Sequence, residues 1–338
     1  MKLLDVTLRD GGFVNEFTLD HAAALRIIAL LDGAELDAME IGYLTGLPPN
    51  HGYYPAPGIC YAWTPEQIAE VVSTVTTPLV GMLHPGGPVP LNLHELAQSG
   101  LALVRIPVTP GVQSNWRDFA DSLGAAGLRF TVNLTLATWS TPETVAECAG
   151  AAEQAGADVF YIADTNSAFL PHRVERLFRQ ISAAVRIPLG FHAHDGKRLA
   201  HANVLAAVHG GASWADASLG GLGRGMGNAA TEVLHEITGR RQGGRYRLLR
   251  ALPEIALAFG VDRTEQLWQQ LCAFMDIWPP TIEVFERAEV ELGIDKYTLV
   301  VNRVLGRPLA RPPRETDLRE IMGLGMPDIR LDTADQLH

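Results

Sequence analysis

The chain has 338 residues, of which 47% are hydrophobic and 19% are charged. This length allows one large domain or two ordinary ones, and the composition excludes a disordered or low-complexity protein. The formal net charge of -11 argues against a surface that binds nucleic acid. Three widely spaced cysteines, Cys60, Cys148 and Cys272, indicate neither a disulfide framework nor a cysteine-rich zinc site. No apolar stretch approaches membrane-spanning length, so we expect a cytoplasmic protein without membrane contact.

Short apolar runs alternate with longer amphipathic stretches from residue 3 to about residue 240. Strands are predicted at 3–8, 37–42, 79–83, 102–107, 128–135, 158–163, 187–192 and 213–218. Helices are predicted near 20–32, 65–75, 92–98, 115–125, 142–155, 171–184, 198–208 and 229–239. Thr64-Pro65 and Thr141-Pro142 each place a proline at the first helical position after a threonine cap. Eight successive β-then-α units predict an α/β fold, a closed TIM (β/α)8 barrel.

Two regions fall outside this pattern. Residues 43–63 form a long loop rich in Pro, Gly and aromatic residues, at the face where a barrel carries its chemistry. The loop is either a lid or substrate wall, or an ordered surface loop without substrate contact. Residues 241–338 indicate helices followed by an Arg/Pro-rich tail. We expect a barrel domain at 1–240 and a helical C-terminal appendage at 241–338 that caps the barrel or serves an oligomer contact.

The strongest chemical signal is the sequence FHAHD at 191–195, at the end of the seventh strand. Side chains two apart on a strand point to the same side, so His192 and His194 can converge on one ion. The first strand ends at Asp10, and in an eight-stranded barrel only strand eight separates it from strand seven. Asp10 can therefore face both imidazoles across the rim.

Strand eight continues into a Gly-rich loop, 218–228, which ends at Asn228. Glycines let the backbone approach the same rim, and the Asn228 carbonyl oxygen could join the set. One carboxylate, two imidazoles and an amide oxygen without a thiolate suit a divalent ion with open positions for water or substrate. The donor set predicts Mn²⁺ first, with Mg²⁺, Co²⁺ or Zn²⁺ as alternatives.

Several further side chains lie where the predicted strands meet the catalytic rim. Arg9 could stabilise an enolate oxygen near the metal or form a salt bridge inside the rim, and it reaches the site only if the first strand has already ended. His84 is a candidate for proton transfer, because histidine is the side chain that ordinarily changes its charge near neutral pH, although a His-Pro turn without a catalytic part is the alternative. Candidates for polar substrate contacts are Tyr43, Asn133 and Thr135.

Three motifs, TLRDG at 7–11, HxHD at 192–195 and GxGxxxGN at 221–228, together resemble the DRE-TIM metallolyase superfamily. Its members include 3-hydroxy-3-methylglutaryl-CoA lyase, isopropylmalate and homocitrate synthases, and 4-hydroxy-2-oxovalerate aldolase. The resemblance covers about residues 3–240. It implies metal ligands at Asp10, His192 and His194 with Asn228 as the fourth, and Arg9 as the enolate stabiliser.

Two softer matches concern the second and sixth strands. Glu40, within MEIG, resembles the family's strand-two glutamate, and Asp164-Thr165 resembles its strand-six pair. The resemblance implies a catalytic role for Glu40 and substrate contacts for Asp164 and Thr165. Buried structural roles are the alternative for these residues.

Within the superfamily, the stretches 163–171 and 216–232 most resemble the hydroxy-oxovalerate aldolases, whereas HAHD is nearer to the lyase and the synthases. In the aldolases a histidine three positions after the metal-binding aspartate serves as base, and here Phe13 occupies that position. Phe13 cannot take a proton. The Glu-Gln of the synthases, the loop cysteine of the lyase and the tyrosine-bearing C-terminal stretch of the aldolases have no counterpart either.

The leading hypothesis is a metal-dependent carbon–carbon lyase or aldolase that acts on a 2-oxo acid, whose carboxylate and keto oxygen chelate the metal. A Schiff-base aldolase is not expected, because none of the three lysines, Lys2, Lys197 and Lys296, falls in the predicted barrel interior. We expect a homodimer or a higher homo-oligomer.

Two alternatives stay open. One is a Claisen-type condensation of an acyl-CoA with a 2-oxo acid, in which an arginine run would bind the CoA phosphates. The same run is also typical of a solvated, salt-bridged helix. The other alternative is a non-catalytic barrel that partners an active enzyme. The arginines of the run are Arg240, Arg241, Arg245, Arg247 and Arg250.

Overall fold

The computed structural model describes residues 1–47, 54, 56–85, 89, 91–109, 116–262, 264–274, 285, 289–290, 292–303, 317 and 320. They fall into two compact units, Met1–Asp262 and Arg263–His338. The second unit contains helices α11 (Thr264–Phe274) and α12 (Lys296–Arg303), which contact each other. Residues 48–53 and 55 of the predicted loop at 43–63 lie outside the described residues, and so do residues 306–316 of the Arg/Pro-rich tail.

Eight parallel strands in the first unit close into a barrel, in which β1 pairs with both β2 and β8. The strands are β1 (Lys2–Asp5), β2 (Ala38–Tyr43), β3 (Leu79–Met82), β4 (Leu103–Val108), β5 (Phe130–Leu134), β6 (Val159–Asp164), β7 (Leu189–Ala193) and β8 (Trp214–Ala217). This confirms the TIM barrel, and it brings the carboxyl ends of all eight strands to one rim.

Helices follow the strands in the predicted alternation. They are α1 (Thr7–Asp10), α2 (His21–Leu31), α3 (Pro65–Val72), α4 (Leu93–Gln98), α5 (Trp116–Ala125), α6 (Pro142–Gln154), α7 (Pro171–Ala184), α8 (Ala200–His209), α9 (Thr231–Ile237) and α10 (Gln242–Ala258). Thr64 caps α3 and Thr141 caps α6 through their side-chain oxygens, as the Thr-Pro pairs predicted. Among the described residues, no helix is long and apolar enough to cross a bilayer.

The compact unit that contains the barrel ends at Asp262. Helix α10 belongs to this unit, since it packs against α2 and α9 and buries Leu248, Leu252 and Ile255. The domain boundary at residue 240 stays a prediction from the sequence.

The first strand is shorter than predicted. It ends at Asp5 rather than at residue 8, and Thr7–Asp10 forms one helical turn. The Asp5 carboxylate accepts hydrogen bonds from the Thr7 backbone nitrogen at 2.9 Å and from the Thr231 hydroxyl at 2.6 Å, which stabilises the turn. Neighbours in a helix are about 100° apart rather than opposite, so Arg9 and Asp10 can reach the same rim.

A network of buried charges spans the barrel interior. Arg105 on β4 donates to Glu40 on β2 at 2.9 Å and to Asp216 on β8 at 2.6 Å. Its guanidinium also lies 4.4 Å from the ring centroid of Tyr161. Because these strands are not neighbours of β4 in the barrel, the contacts form across the interior. Arg105 and its two partners are at most 1% exposed.

We expect Arg105→Met to lower the free energy of unfolding by about 3–5 kcal/mol, because it removes the cation that two buried carboxylates share. Urea unfolding followed by circular dichroism measures the effect. Arg129→Met is the matched control, since Arg129 is 68% exposed and its ion pair with Asp158 lies at the surface. The control substitution should lower the free energy of unfolding by less than about 1 kcal/mol. Equal costs for the two variants would contradict a structural role for the network.

The pH dependence of stability tests the burial of Asp5. Burial raises the pKa of Asp5 to about 6, and hydrogen bonds from Thr231 and Thr7 offset only part of the rise. A carboxyl with a raised folded-state pKa contributes stability that is present below about pH 4 and is lost as the pH rises through about 6. Across that window the stability difference between wild type and Asp5→Asn should change by about 3 kcal/mol in urea unfolding. A difference that is constant with pH would refute this account.

Candidate metal centre and active-site cavity

Three residues predicted to bind metal converge at the barrel rim. The candidate ligand atoms of Asp10, His192 and His194 all lie within 4.8 Å of one another, and the three side chains are buried. The two imidazole centroids are 4.8 Å apart, and His194 Nδ1 lies 3.9 Å from an Asp10 carboxylate oxygen. Segments that are about 180 residues apart in the sequence thus form one mixed nitrogen and oxygen donor set.

Asp216 holds the imidazole of His192 in one orientation. His192 Nδ1 lies 3.0 Å from Asp216 Oδ2, and Arg105 binds the same carboxylate oxygen. Burial alone would raise the pKa of Asp216, but Arg105 and His192 lower it below the usual value. The ionised carboxylate keeps a proton on Nδ1 and leaves the Nε2 lone pair of His192 available to a cation. Sequence reasoning missed Asp216, although a carboxylate in an otherwise apolar strand was a visible signal.

The protonation states of the other two groups also suit metal binding. Burial lowers the pKa of His194 to about 4, although the negative charge of Asp10 acts to raise it. The imidazole of His194 is therefore neutral near pH 7. Burial opposes ionisation of Asp10, but the charge of Arg9 and the hydrogen bond from Asn228 act against burial, and the pKa of Asp10 lies well below its usual range. A neutral imidazole and an ionised carboxylate are the forms that coordinate cations.

Asn228 lies beside this cluster, but its amide is turned away from the predicted orientation. Its nitrogen donates to Asp10 Oδ2 at 2.8 Å and to the Leu222 carbonyl at 3.0 Å. The Asn228 oxygen is buried and has no hydrogen-bond partner among the described residues. The nitrogen faces Asp10 because a carboxylate accepts hydrogen bonds and this nitrogen is the only donor of the side chain. Gly223 makes room here, since a Cβ would lie 2.5 Å from the amide nitrogen.

Arg9 is anchored at the edge of the cluster. Its Nε donates to Glu40 Oε2 at 2.8 Å, and its Nη1 donates to the Asp10 carboxylate. Glu40 also binds Arg105, so it joins the interior network to the rim. Arg9 lines the cavity together with Tyr43, whose hydroxyl is a further hydrogen-bond partner of the guanidinium.

A cavity of about 200 Å³ opens beside the cluster. Of the residues predicted as site residues, Arg9, Asp10, Tyr43, His84, Asn133, Thr135, Thr165, His192 and His194 line it. Sequence reasoning did not single out the remaining lining residues apart from Phe13. They are Leu47, Met82, Pro107, Thr109, Leu136, Ala163 and Arg224. No lysine is among the described residues that line the cavity.

Glu40, Asp164 and Asn228 do not line the cavity in the described part of the chain. Asp164 accepts hydrogen bonds from the backbone nitrogens of Ala168 at 2.7 Å and Phe169 at 3.2 Å, and so shapes the loop after β6. This arrangement favours the structural role for Asp164 over a substrate contact. Thr165 lines the cavity, but its hydroxyl already accepts a hydrogen bond from the Leu136 nitrogen at 2.9 Å.

Comparison with known proteins agrees with this fold. A profile of the HMGL-like family matches residues 110–249. A 4-hydroxy-2-oxovalerate aldolase from Brevibacillus brevis is 31% identical over 364 aligned positions, which cover 99% of this chain and 95% of that protein. Another, from Pelotomaculum thermopropionicum, is 34% identical over 241 positions, covering 69% of this chain and 68% of that protein.

A solved structure shows the same architecture. The hydroxymethylglutaryl-CoA lyase of Pseudomonas aeruginosa superposes with a TM-score of 0.63 at 20% identity, covering 80% of this chain and 97% of that one. At this identity the likeness concerns the fold alone. Because a relative above 30% identity aligns along nearly the whole chain, the chain belongs to the DRE-TIM metallolyase superfamily, in its HMGL-like family with the 4-hydroxy-2-oxovalerate aldolases.

Proposed function

We propose that the protein is a divalent-metal-dependent aldolase that makes or breaks a carbon–carbon bond in a 4-hydroxy-2-oxo acid. The observation that carries this proposal is the meeting of Arg9 with the Asp10, His192 and His194 cluster in one cavity. The relatives named 4-hydroxy-2-oxovalerate aldolase support the same reaction class, a carbon–carbon lyase. A cytoplasmic location and a homo-oligomeric state stay predictions from the sequence.

The residues present fit a divalent cation. His194 Nδ1 is buried and has no hydrogen-bond partner among the described residues, and it faces the Asp10 carboxylate. With the Nε2 of His192 this makes a set of one carboxylate and two imidazole nitrogens, which Mn²⁺, Mg²⁺, Co²⁺ and Zn²⁺ accept. Mn²⁺ ranks first in the proposal. Asn228 would supply a fourth donor after its amide turns its oxygen towards Asp10.

A cation held there would act as a Lewis acid on the carbonyl group of the 2-oxo acid. Arg9 donates hydrogen bonds to the oxygen that becomes negatively charged as the enolate forms. Glu40 and Asp10 hold the guanidinium by Nε and Nη1, so its orientation is established before the substrate arrives. The carboxylate of the 2-oxo acid is attracted to the same positive end of the cavity.

In the cleavage direction, the C4 hydroxyl loses its proton and C4 leaves as an aldehyde. The electron pair of the C3–C4 bond stays on C3 as the enolate, and C3 then takes up a proton to give the smaller 2-oxo acid. Phe13 cannot serve as the base. We assign the proton transfer to His84, which lines the cavity with its ring centroid 5.6 Å from that of Tyr43. Burial raises the pKa of Tyr43 above its usual value, so Tyr43 stays a neutral donor.

The structure does not favour the Claisen alternative. Arg240 pairs with Asp37, Arg241 with Glu35 and Arg245 with Glu236, which is the pattern of a salt-bridged surface. Three of the five arginines considered for CoA phosphates are therefore already engaged. The non-catalytic alternative loses support because the full cluster and its positioning residues are present together.

We expect His194→Ala to weaken Mn²⁺ binding by at least about tenfold, because a buried nitrogen ligand is lost. Isothermal titration of the metal-free protein with Mn²⁺ measures the affinity. His209→Ala is the matched control, since His209 is an exposed histidine on α8 and lies outside the cluster. Wild-type affinity in His194→Ala would argue against the proposed site.

Enolate formation can be measured directly as exchange of the methyl protons of pyruvate for deuterium. The wild-type protein should catalyse exchange only with Mn²⁺ or a similar ion present. At saturating metal, Arg9→Met should lower the exchange rate by about 10²–10³ through loss of the donor to the enolate oxygen. Mass spectrometry of the recovered pyruvate reports the exchange.

Arg179→Met is the control for this measurement, because Arg179 is 66% exposed on α7 and pairs only with Glu175 among the described residues. This variant should exchange at the wild-type rate. A metal-loaded wild-type protein that exchanges neither pyruvate nor another small 2-oxo acid would rule out the proposed function.

A further inference from the structure

One side of the active-site cavity is apolar and partly aromatic. We call it the aromatic wall and define it as Phe13, Tyr43, Leu47 and Met82, all of which line the cavity. Phe17, which is fully buried, packs behind it. The ring centroid of Phe17 lies 5.1 Å from that of Phe13 and 5.6 Å from that of Tyr43, in edge-to-face arrangements.

The backbone behind the aromatic wall is strained and closely packed. Glu16 and Phe17 adopt φ angles of 55° and 60°, in the left-handed region that bulky residues rarely occupy. The Gly58 nitrogen donates to the Phe17 carbonyl at 2.6 Å, and a Cβ at Gly12 would lie 2.3 Å from the Phe17 ring. Such backbone conformations persist only where the surroundings hold them in place. These contacts hold the ring of Phe17, and Phe17 in turn holds Phe13 at the cavity.

Apart from the Tyr43 hydroxyl and His84, which lies beside Tyr43, the polar groups of the cavity come from other elements. Thr109, Asn133 and Thr135 come from the ends of β4 and β5, and the metal cluster comes from β7 and the turn after β1. The carboxylate and keto oxygen of a 2-oxo acid belong at the cluster and Arg9, under the proposed function. The aromatic wall then faces the part of the substrate that does not react.

A substrate that carries only a methyl group on C4 would leave most of the aromatic wall without an apolar partner. A larger apolar group on C4 covers more of the wall and displaces more water from it. Each additional buried methylene raises the binding affinity about fourfold. An aryl group gains further, because it can pack edge-to-face with Phe13 and Tyr43. The Arg224 guanidinium, which also lines the cavity, lies 5.8 Å from the ring centroid of Phe13.

We propose that the aromatic wall selects the aldehyde-derived end of the substrate, so that the protein acts on 4-hydroxy-2-oxo acids with an aryl or branched alkyl group on C4. This inference rests on the proposed function. In the synthetic direction, C3 of the pyruvate enolate forms a bond to the aldehyde carbon. The carbonyl π electrons move to the aldehyde oxygen, which takes a proton and becomes the C4 hydroxyl.

The test measures kcat/KM for condensation of pyruvate with benzaldehyde, isobutyraldehyde and acetaldehyde by the full-length, Mn²⁺-loaded protein. We expect benzaldehyde or isobutyraldehyde to exceed acetaldehyde by at least about tenfold. Phe13→Ala should lower that ratio by about tenfold, and Phe13→Leu should lower it less, because leucine keeps part of the apolar surface. Trp139→Ala is the control and should keep the wild-type ratio, since Trp139 is 76% exposed and lies outside the cavity lining.

Deuterium exchange into pyruvate, measured on the same samples, separates this inference from the proposed function. Exchange together with an equal or better rate for acetaldehyde would overturn the inference and leave the aldolase proposal standing. A preference that Phe13→Ala and Phe13→Leu both leave intact would also overturn it. Absence of exchange in the metal-loaded wild type would overturn both proposals.

Discussion

The site depends on pairing opposite charges inside the barrel. A guanidinium or carboxylate buried alone would cost several kcal/mol, so each needs an opposite charge or several hydrogen-bond donors, such as the backbone nitrogens that bind Asp164. The described residues meet this requirement with a continuous chain that crosses the interior and ends at the metal cluster on both sides. Its members, in order, are Asp10, Arg9, Glu40, Arg105, Asp216 and His192. The pairing that keeps the interior stable is thus also the pairing that orients the site.

This arrangement explains why Arg9 and His192 have defined orientations before any ligand binds. Two acceptors hold the guanidinium of Arg9, and one carboxylate selects the protonated nitrogen of His192. Groups that are already oriented need not reorganise when charge develops on the substrate, which is the main source of electrostatic catalysis. Neither Asp216 nor Arg105 is among the described residues that line the cavity, so we assign them the role of positioning His192.

Phe13 separates this chain from the aldolases whose motifs it otherwise resembles. The position that carries a histidine there carries an apolar ring here, packed against Phe17 and near Tyr43. Phenylalanine in place of histidine removes a proton acceptor from one side of the cavity and adds apolar surface in the same place. The residues proposed to bind the metal and the enolate are present, so under the proposed function the difference concerns proton transfer and the remainder of the substrate. His84 and Tyr43 are the polar groups next to this surface.

The patterns along the chain were enough to predict the barrel and the convergence of Asp10, His192 and His194 at its rim. Alternation with period 2 or 3.6 is a local property, and so is the same-side placement of His192 and His194. Strand ends were predicted to within a few residues for the same reason. The helical turn at Thr7–Asp10 was not predictable, because it depends on Asp5 meeting Thr231, which is distant in the sequence.

Contacts across the barrel could not be predicted from the sequence for a related reason. Nothing near Arg105 indicates that it meets Asp216, since that pairing arises only when eight strands close with one particular register. The amide orientation of Asn228 and the loop-shaping role of Asp164 depend likewise on which donors surround them. The sequence alone determined which elements form and which residue types reach the rim, because local periodicity decides both. Only the tertiary structure decided which charges pair and which groups face the cavity, because those choices depend on neighbours brought together by barrel closure.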